Sequence, residues 1–415
     1  ETCQAIRRFV EQSKNLDYLM LPYVYSQDEY GSPQLVLRRE RVLRNTGNVV
    51  WHDPIHEYID LSNLNGIFVA APIIHKRTEE DAVKDGRRNI EIYEKAIKEN
   101  HPMTKDPRFE LYYGTALEQD GKLLEAISHY QKFLRMSGPC DERVQAMCAI
   151  TRCYLNNNMT VQARDICYKI LEYDDRFAEP FYYIGLSYIM EGKWASAIKY
   201  FKCAETMNLP DTYIPVSVSD YTINPKAKLE QCYWHCCNFE EALHYCIECL
   251  RLRPLDKGLH GDYQNLYGQL KKEQTITYVI PDEIKETILD WYAFRNRRFR
   301  VANWLSVNTG YKVIFAKDYC DALEKCPEFI VWCHFGREVL ALMELAKSAG
   351  IINIYDACES LFEFDYFVEC LKMADHVFCS SKGLKDHMAR HGIRSTYLPD
   401  PLEERVNVGN VWNQV

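Results

Sequence analysis

The feature that most constrains this chain is a degenerate repeat of about 34 residues running through its middle. One unit carries Tyr113, Gly114, Leu117, Gly121, Ala126, Tyr130, Phe133 and Pro139, and another carries Ile184, Gly185, Tyr188, Gly192, Ala197, Phe201 and Ala204. A weaker unit between them has Tyr154, Ala163, Cys167 and Ile170, and a fourth has Leu229, Tyr233, Ala242, Cys246, Cys249 and Pro254. Small residues at fixed places let the two helices of a hairpin approach, while Tyr and Phe fill the gap to the next hairpin. One hairpin buries little by itself, so three or four must stack. The longer interval before the fourth unit holds Pro210, Pro215 and Pro225, which predicts an inserted loop or an offset in the superhelix.

This pattern resembles tetratricopeptide repeats and places an array over residues 104–272. The resemblance implies a concave surface able to hold a peptide acceptor or a second subunit. A rigid spacer between flanking units is an equal reading, because one sequence does not show which face is special.

Composition narrows the class. The chain has 415 residues, a formal net charge of -9 and 47% hydrophobic residues, enough for two to four units with real cores. A net acidic chain lacks the basic face that displaces counterions from nucleic acid. The longest apolar stretch, Gly66 to Ile74, is too short to cross a bilayer. The 29 tyrosines and seven tryptophans can line sugar-binding surfaces, although helix packing accounts for most of them. The 17 cysteines are scattered through apolar runs, which predicts buried thiols in a reducing, cytoplasmic setting. The tightest group, Cys232, Cys236, Cys237, Cys246 and Cys249, can be drawn around zinc but sits at ordinary helical core spacing, and the core reading is preferred. Asn158-Met159-Thr160 is a formal glycosylation acceptor that reads as a turn.

Near the amino terminus, Arg39, Arg41 and Arg44 form a dense run, followed by Trp51 and then Ile55-His56-Glu57. Guanidinium forks bind phosphate and carboxylate bidentately, and a His-Glu pair can supply a metal ligand, a base or an orienting carboxylate. A basic strand edge followed by a core histidine explains the same residues. A metal hydrolase pairing His52 with His56 is disfavoured, because Pro54 opposes the helix that would align them. In order, Tyr23, Asp28, Gly31, Pro33, the arginine run, Trp51 and Ile-His-Glu resemble the last third of a family 2 glycosyltransferase catalytic domain. The likeness is to members that continue into tetratricopeptide repeats, and it runs through His75, Arg88 and Asn89. It implies that Arg39, Arg41 and Arg44 contact the donor or acceptor and that His56 and Glu57 act on the leaving group, with His56 a candidate metal ligand. It also implies that Trp51 stacks on a sugar ring, with a core role equally open, and that a divalent cation (Mn or Mg) is the cofactor. The Asp-x-Asp motif that would hold that cation is absent, and the chain opens Glu1-Thr2-Cys3. The expectation is therefore that residues 1–103 are the tail of such a domain, with the nucleotide-binding half and the main metal ligands lying outside this chain.

From about Thr275 the period changes again. The predicted strands are Thr275–Ile280, Lys312–Ala316, Phe329–Cys333, Ile351–Tyr355, His376–Ser380 and Ser395–Leu398, with helices such as Arg337–Ser348, Phe364–Met373 and Gly383–Arg390 between them. Such alternation predicts a parallel sheet covered by helices, a Rossmann-like domain over 273–415, with ligands at the carboxyl ends of its strands. Asp356, Ser380 and Ser381 fall at those ends, and for the serines simple N-capping is the preferred reading. Tyr355-Asp356, Glu363-Phe364, Ala374-Asp375-His376-Val377, Ser380-Ser381 and Pro399-Asp400-Pro401 resemble the N-terminal, acceptor-carrying half of a family 4 two-Rossmann glycosyltransferase. No Gly-x-Gly-x-x-Gly loop accompanies them.

The expected fold class is thus mixed: an α-helical tetratricopeptide solenoid flanked by the tail of an α/β glycosyltransferase domain and a Rossmann-like α/β domain. The expected function is glycosyl transfer from a nucleotide-sugar donor to a glycan or protein acceptor, with little activity in this piece alone. A protein partner on the repeats is also expected, and neither nucleic acid nor a membrane span. The alternative is a non-catalytic tetratricopeptide scaffold or protein-binding module.

Overall fold

The computed structural model describes residues 2–12, 15–27, 31, 33–45, 49–52, 55, 58–75, 79–138, 140–270, 274–279, 300–333, 335–357 and 361–398. The chain divides into two compact units, Glu1–Cys232 and Tyr233–Val415.

The first unit opens with helix α1 (Thr2–Gln12) and an antiparallel hairpin, β1 (Tyr18–Gln27) and β2 (Pro33–Leu43). Two short strands form a separate antiparallel pair, β3 (Trp51–His52) and β4 (Tyr58–Ile59). Strands β5 (Gly66–Phe68) and β6 (Ile73–Ile74) then run parallel to β1 along its outer edge. β5 pairs with Tyr18 to Met20 and β6 with Tyr23 and Val24, so Pro22 falls in the gap between them, where its missing N–H leaves no ladder bond unmade. Leu19, Leu21, Val69 and Ala71 form the sheet's core with Val42 and Ile73 packed against them. At the sheet edge a Cβ on Gly66 would lie 2.1 Å from the Tyr18 ring, so only glycine allows that pairing.

Helices α2 (Glu79–Lys98), α3 (Pro107–Gln119), α4 (Leu123–Met136), α5 (Asp141–Asn156), α6 (Thr160–Tyr173), α7 (Glu179–Met190) and α8 (Trp194–Glu205) follow. From α3 onward they are successive antiparallel hairpins of tetratricopeptide type. α2 covers the first hairpin, with Tyr93 packed edge-on to Phe109 at 5.3 Å. Three features recur in each hairpin. Ala126, Ala163 and Ala197 are wholly buried, and each is preceded five positions earlier by a residue with positive φ: Gly121, Asn158 and Gly192. The N–H of the residue after each turn reaches back to the last turn of the first helix: Lys122 to the Leu117 carbonyl, Met159 to Tyr154 and Lys193 to Tyr188, each at 2.9 Å. That is a helix C-terminus closed by a left-handed residue, a conformation that costs a residue bearing Cβ about 1 kcal/mol and suits Gly or Asn.

The helix contact itself is a size match. A Cβ on Gly114 would meet the Tyr130 ring at 2.9 Å, and one on Gly185 would meet the Phe201 ring at 2.6 Å. The middle hairpin carries Thr151 where its neighbours have glycine, and there the facing aromatic is replaced by Cys167, whose sulfur lies 3.8 Å from the Thr151 hydroxyl. Polar rungs tie one hairpin to the next at the repeat spacing. Arg108 binds Glu142 and Arg152 binds Glu118, each pair 34 residues apart.

The interval with three prolines is more than an inserted loop. It runs back along the array as strand β7 (Val216–Ser217) and a 3-10 turn (Val218–Tyr221) before helix α9 (Ile223–His235). β7 pairs antiparallel with β2, Leu35 opposite Ser217 and Val36 opposite Val216, so it completes the N-terminal sheet. Pro225 sits in the first turn of α9, where no intrahelical N–H is needed.

The second unit carries α10 (Phe239–Leu252) and α11 (Lys257–Gln269), then β8 (Thr275–Val279), α12 (Arg300–Asn308), β9 (Lys312–Ala316), α13 (Tyr319–Glu324), β10 (Phe329–Trp332), α14 (Arg337–Ser348), β11 (Ile352–Ala357), α15 (Asp365–Met373), β12 (His376–Cys379), α16 (Lys382–Arg390) and β13 (Thr396–Tyr397). The six strands make one parallel sheet in the order β13-β12-β11-β10-β8-β9. Helices cover both faces. Ala302 and Leu305 of α12 pack on Ile276, Tyr278 and Val331. On the opposite face Tyr319 stacks on Trp332 at 4.5 Å, and the buried Asn353 accepts from the Trp332 indole and donates to the Met343 carbonyl. α11 is fixed to α13 and the loop after it, where Tyr263 and Tyr267 donate to the Leu323 and Pro327 carbonyls.

The size match between hairpin helices makes a testable demand. Gly185→Ala should destabilise the first unit by about 1–3 kcal/mol through overpacking against Phe201. The double variant with Phe201→Leu should recover much of that loss. Urea denaturation of parent, single and double variants reads the coupling; a neutral single variant would show that the ring and the glycine do not limit the helix approach.

Candidate functional site

The basic run occupies β2, and strand geometry separates its members. Arg39 lies opposite Leu21, half-buried, close enough to the Tyr112 hydroxyl for its charge to bear on it. Register slips between Leu19–Val42 and Met20–Glu40, so Arg41 is the extra residue of a bulge. Its guanidinium sits over the Tyr23 ring at 4.4 Å, and Tyr23 belongs to an aromatic group with Tyr25 and His75. Arg44 closes the strand end: its Nε donates to the Leu16 carbonyl at 3.0 Å, and its backbone N–H to the Asp17 carbonyl at 2.8 Å. Arg38, which the sequence reading passed over, binds Asp211 at 2.7 Å and covers the Phe68 ring at 4.8 Å. Only the long-range pairing of β7 makes that partner available.

Trp51 is half exposed on β3, with its backbone opposite Ile59. His56 and Glu57 lie outside the described residues. Among the described residues, nothing hydrogen-bonds the buried His75 Nδ1 and Asn89 Oδ1. Among the described residues no three or more His, Cys, Asp or Glu side chains gather around a common point. Cys232, Cys246 and Cys249 are wholly buried, whereas Cys236 and Cys237 are exposed, so the group of five is split between core and surface.

The carboxyl ends of the parallel strands hold the second set. The strand order reverses between β8 and β10, and a crevice at such a reversal is where open α/β sheets bind ligands. The edge of β10 there is shaped by Tyr319, whose hydroxyl accepts from the Cys333 N–H at 3.1 Å, and by Gly336, which caps α14 at φ 145°. A strand followed by Gly and a helical run was the available signal for these. Asp356 is buried on β11, one residue before the strand's end. Ser380 donates its N–H to the Ala357 carbonyl. Ser381 caps α16, its hydroxyl oxygen accepting from the Leu384 N–H at 3.0 Å, which fixes that side chain at the helix start.

A third site emerges from the repeats and was not legible as a motif. Three carboxylates stand in the first turns of α5 and α7, and the 211–221 segment supplies hydroxyls to them: Thr212 to Asp141, Tyr213 to Glu142 and Tyr221 to Glu179. Tyr221 also accepts from the Ala178 N–H, and Arg176 donates to the Asp211 carbonyl. Burial drives the Glu179 carboxyl up to about 7, only partly offset by the Tyr221 bond, with Asp220 raising it and Arg152 lowering it. Asp220 is itself raised by burial despite a bond from Asn224.

Solved structures similar to the chain include MamA (16% identity, 43% of this chain and 95% of that one, TM-score 0.32). YrrB, titled a TPR protein with an unusual peptide-binding site, matches at 19% identity over 43% of this chain and 84% of its own, TM-score 0.32. TTC0263, a thermophilic TPR protein in Thermus thermophilus, matches at 16% identity over 46% of this chain and 98% of its own, TM-score 0.33. Likenesses of this size carry no functional argument, and the repeat assignment stands on the buried alanines, left-handed turns and polar rungs above. No protein-family model and no curated protein matches the chain. No helix among the described residues is long and apolar enough to cross a membrane.

Glu179 gives a pH prediction. Its folded value lies above the ordinary 4.5, so the folded state holds a proton that the unfolded chain has released. Stability therefore falls as pH rises from about 4.5 to about 7, by an amount on the order of 3 kcal/mol. Glu179→Gln, which keeps an acceptor for Tyr221, should match the parent near pH 4 and exceed it at pH 8 in urea midpoint. A difference that does not grow with pH would mean Glu179 is ionised throughout.

Proposed function

We propose that the repeat array is a protein-binding module that holds extended segments across the first turns of α5 and α7. The observation that carries this is that the array already does so with its own chain. Residues 211–221 lie along those helix starts, joined by hydroxyl-to-carboxylate bonds and a backbone N–H bond rather than by packing alone. The row of Asp141, Glu142 and Glu179 selects donors, so the matching partner is an extended peptide rich in hydroxyl or basic side chains. To test it, residues 211–221 are replaced by a glycine-serine linker and a labelled synthetic peptide of residues 209–222 is added in trans. Saturable binding that is lost on Glu142→Ala with Glu179→Ala, which removes both acceptors, is expected. A linker variant that keeps its helical circular dichroism yet binds no peptide would refute the module.

A second reading is glycosyl transfer, supported by the two sequence resemblances and by the strand-order reversal between β8 and β10, with Asp356 on the neighbouring β11. The reaction separates positive charge at an anomeric carbon from negative charge on a leaving diphosphate, and cationic forks stabilise the latter. On this reading Arg39 and Arg41 face donor or acceptor, Trp51 offers its exposed ring to a sugar, and His56 and Glu57 keep their assigned roles at the leaving group. Arg44 serves the strand end, and Ser381 contributes its helix start rather than its hydroxyl. Calorimetry with uridine, guanosine and cytidine diphosphate sugars, manganese present, tests it. Binding by the parent that is lost with Arg41→Ala and Trp51→Ala supports a site in the first unit; an equal affinity in that variant removes these residues from it.

A further inference from the structure

We propose that Cys236 and Cys237 form a two-thiolate site for a soft, thiophilic metal ion of the Cu(I) class. The argument begins at the helix turns. In the first three hairpins the left-handed residue five positions ahead of the buried alanine is Gly121, Asn158 or Gly192, the residue types that tolerate this conformation. Ahead of Ala242 the same place is taken by Cys237, at φ 57°. The turn is otherwise identical: the Cys237 N–H reaches the Trp234 carbonyl at 3.0 Å, and the Asn238 N–H reaches the Tyr233 carbonyl at 3.0 Å.

Neither thiol has a packing reason to be there. A buried cysteine acts as a small hydrophobe, as Cys246 and Cys249 do in the adjoining helix, but Cys236 and Cys237 are both exposed. Cys203 is the one other exposed cysteine among those whose side chains are described. Cys326 also has positive φ, yet it is buried and so contributes to the core. A strained backbone position holding an exposed nucleophile, next to a second one, is the kind of outlier that points to function.

Adjacent Cα atoms stand about 3.8 Å apart, below the roughly 4.4–6.8 Å across which disulfides close without strain. An ion bridging the sulfurs, each metal–sulfur bond near about 2.3 Å, spans a wider gap and relieves that constraint. Two thiolates with no third ligand group among the described residues suit a two-coordinate soft ion better than tetrahedral zinc. Each thiol loses its proton on ligation, so one Cu(I) enters and two protons leave, giving a bis-thiolate complex of net charge minus one.

The test is an anaerobic titration of the full chain with Cu(I) against the chromogenic chelator bicinchoninate, alongside Cys236→Ser, Cys237→Asn and Cys203→Ser. Cys237→Asn reproduces the turn residue of Asn158, so it should fold and melt no lower than the parent. The parent and Cys203→Ser should hold one ion per chain with release of two protons, and the other two variants should bind about tenfold more weakly or worse. Retention of parental affinity in folded Cys237→Asn would overturn the proposal, as would a parent that takes no Cu(I) from the chelator.

Discussion

Close approach of paired helices across a residue without a side chain is the contact on which the middle of this protein depends. Where Gly114 and Gly185 stand, an aromatic ring fills the space a Cβ would need; where Thr151 stands, the ring shrinks to a thiol. A large ring faces a residue without a side chain, and a small side chain faces a residue that has one. That constraint fixes the distance between helices, and the left-handed turn fixes their direction. Only then do side chains 34 residues apart arrive opposite one another, so that Arg108 meets Glu142 and Glu118 meets Arg152. These ion pairs are half exposed and add little stability individually. Their value is register: a hairpin displaced by one turn would leave Glu142 buried without its cation.

The same register creates the row of carboxylates that holds residues 211–221. Asp141, Glu142 and Glu179 sit in first helical turns, where backbone N–H groups favour negative charge. Glu142 keeps its carboxyl below the ordinary range, since bonds from Tyr213 and Arg108 and its own first-turn N–H outweigh burial. Glu179 has no such cation bonded to it, and burial wins. Both acids accept a tyrosine hydroxyl and their own first-turn N–H; Glu142 is bonded by Arg108 as well, whereas Arg152 acts on Glu179 only at a distance and Asp220 opposes it. The segment they hold then delivers β7 to the edge of β2 and Asp211 to Arg38, so the N-terminal sheet and the array share one covalent strap.

Local signals were legible and distant ones were not. The strand Lys312–Ala316 and the helix Arg337–Ser348 have the expected limits, because period and flanking Gly and Asp mark them locally. The buried thiols at Cys167, Cys246 and Cys249 followed from helical spacing. A two-residue strand such as β7 has no period to read, and its partner lies far earlier in the chain. The prolines around it signalled only a break in helix. For the same reason nothing in the sequence singles out Arg38, the residue that meets Asp211. Capping by Ser381 was anticipated, since its position directly before an amphipathic stretch defines the motif.

The arginine run shows how a motif's chemistry depends on the pairing of its strand. Read as a string, Arg39, Arg41 and Arg44 form one cationic cluster. In an unbroken strand the first two would share a face and the third would oppose them. The bulge at Arg41 adds a residue without advancing the partner strand, so alternation shifts there. Arg41 is turned across the sheet to Tyr23, while Arg44, beyond the last paired residue, reaches the Leu16 carbonyl. Both arginines are exposed, and among the described residues Arg41 rests on the Tyr23 ring whereas Arg44 is bonded to the Leu16 carbonyl. A guanidinium resting on an aromatic face keeps its N–H edge available, since the ring engages only its plane. On the glycosyl-transfer reading proposed above, the cationic forks of this segment are therefore Arg41 and the half-buried Arg39, with Arg44 tied to the strand end.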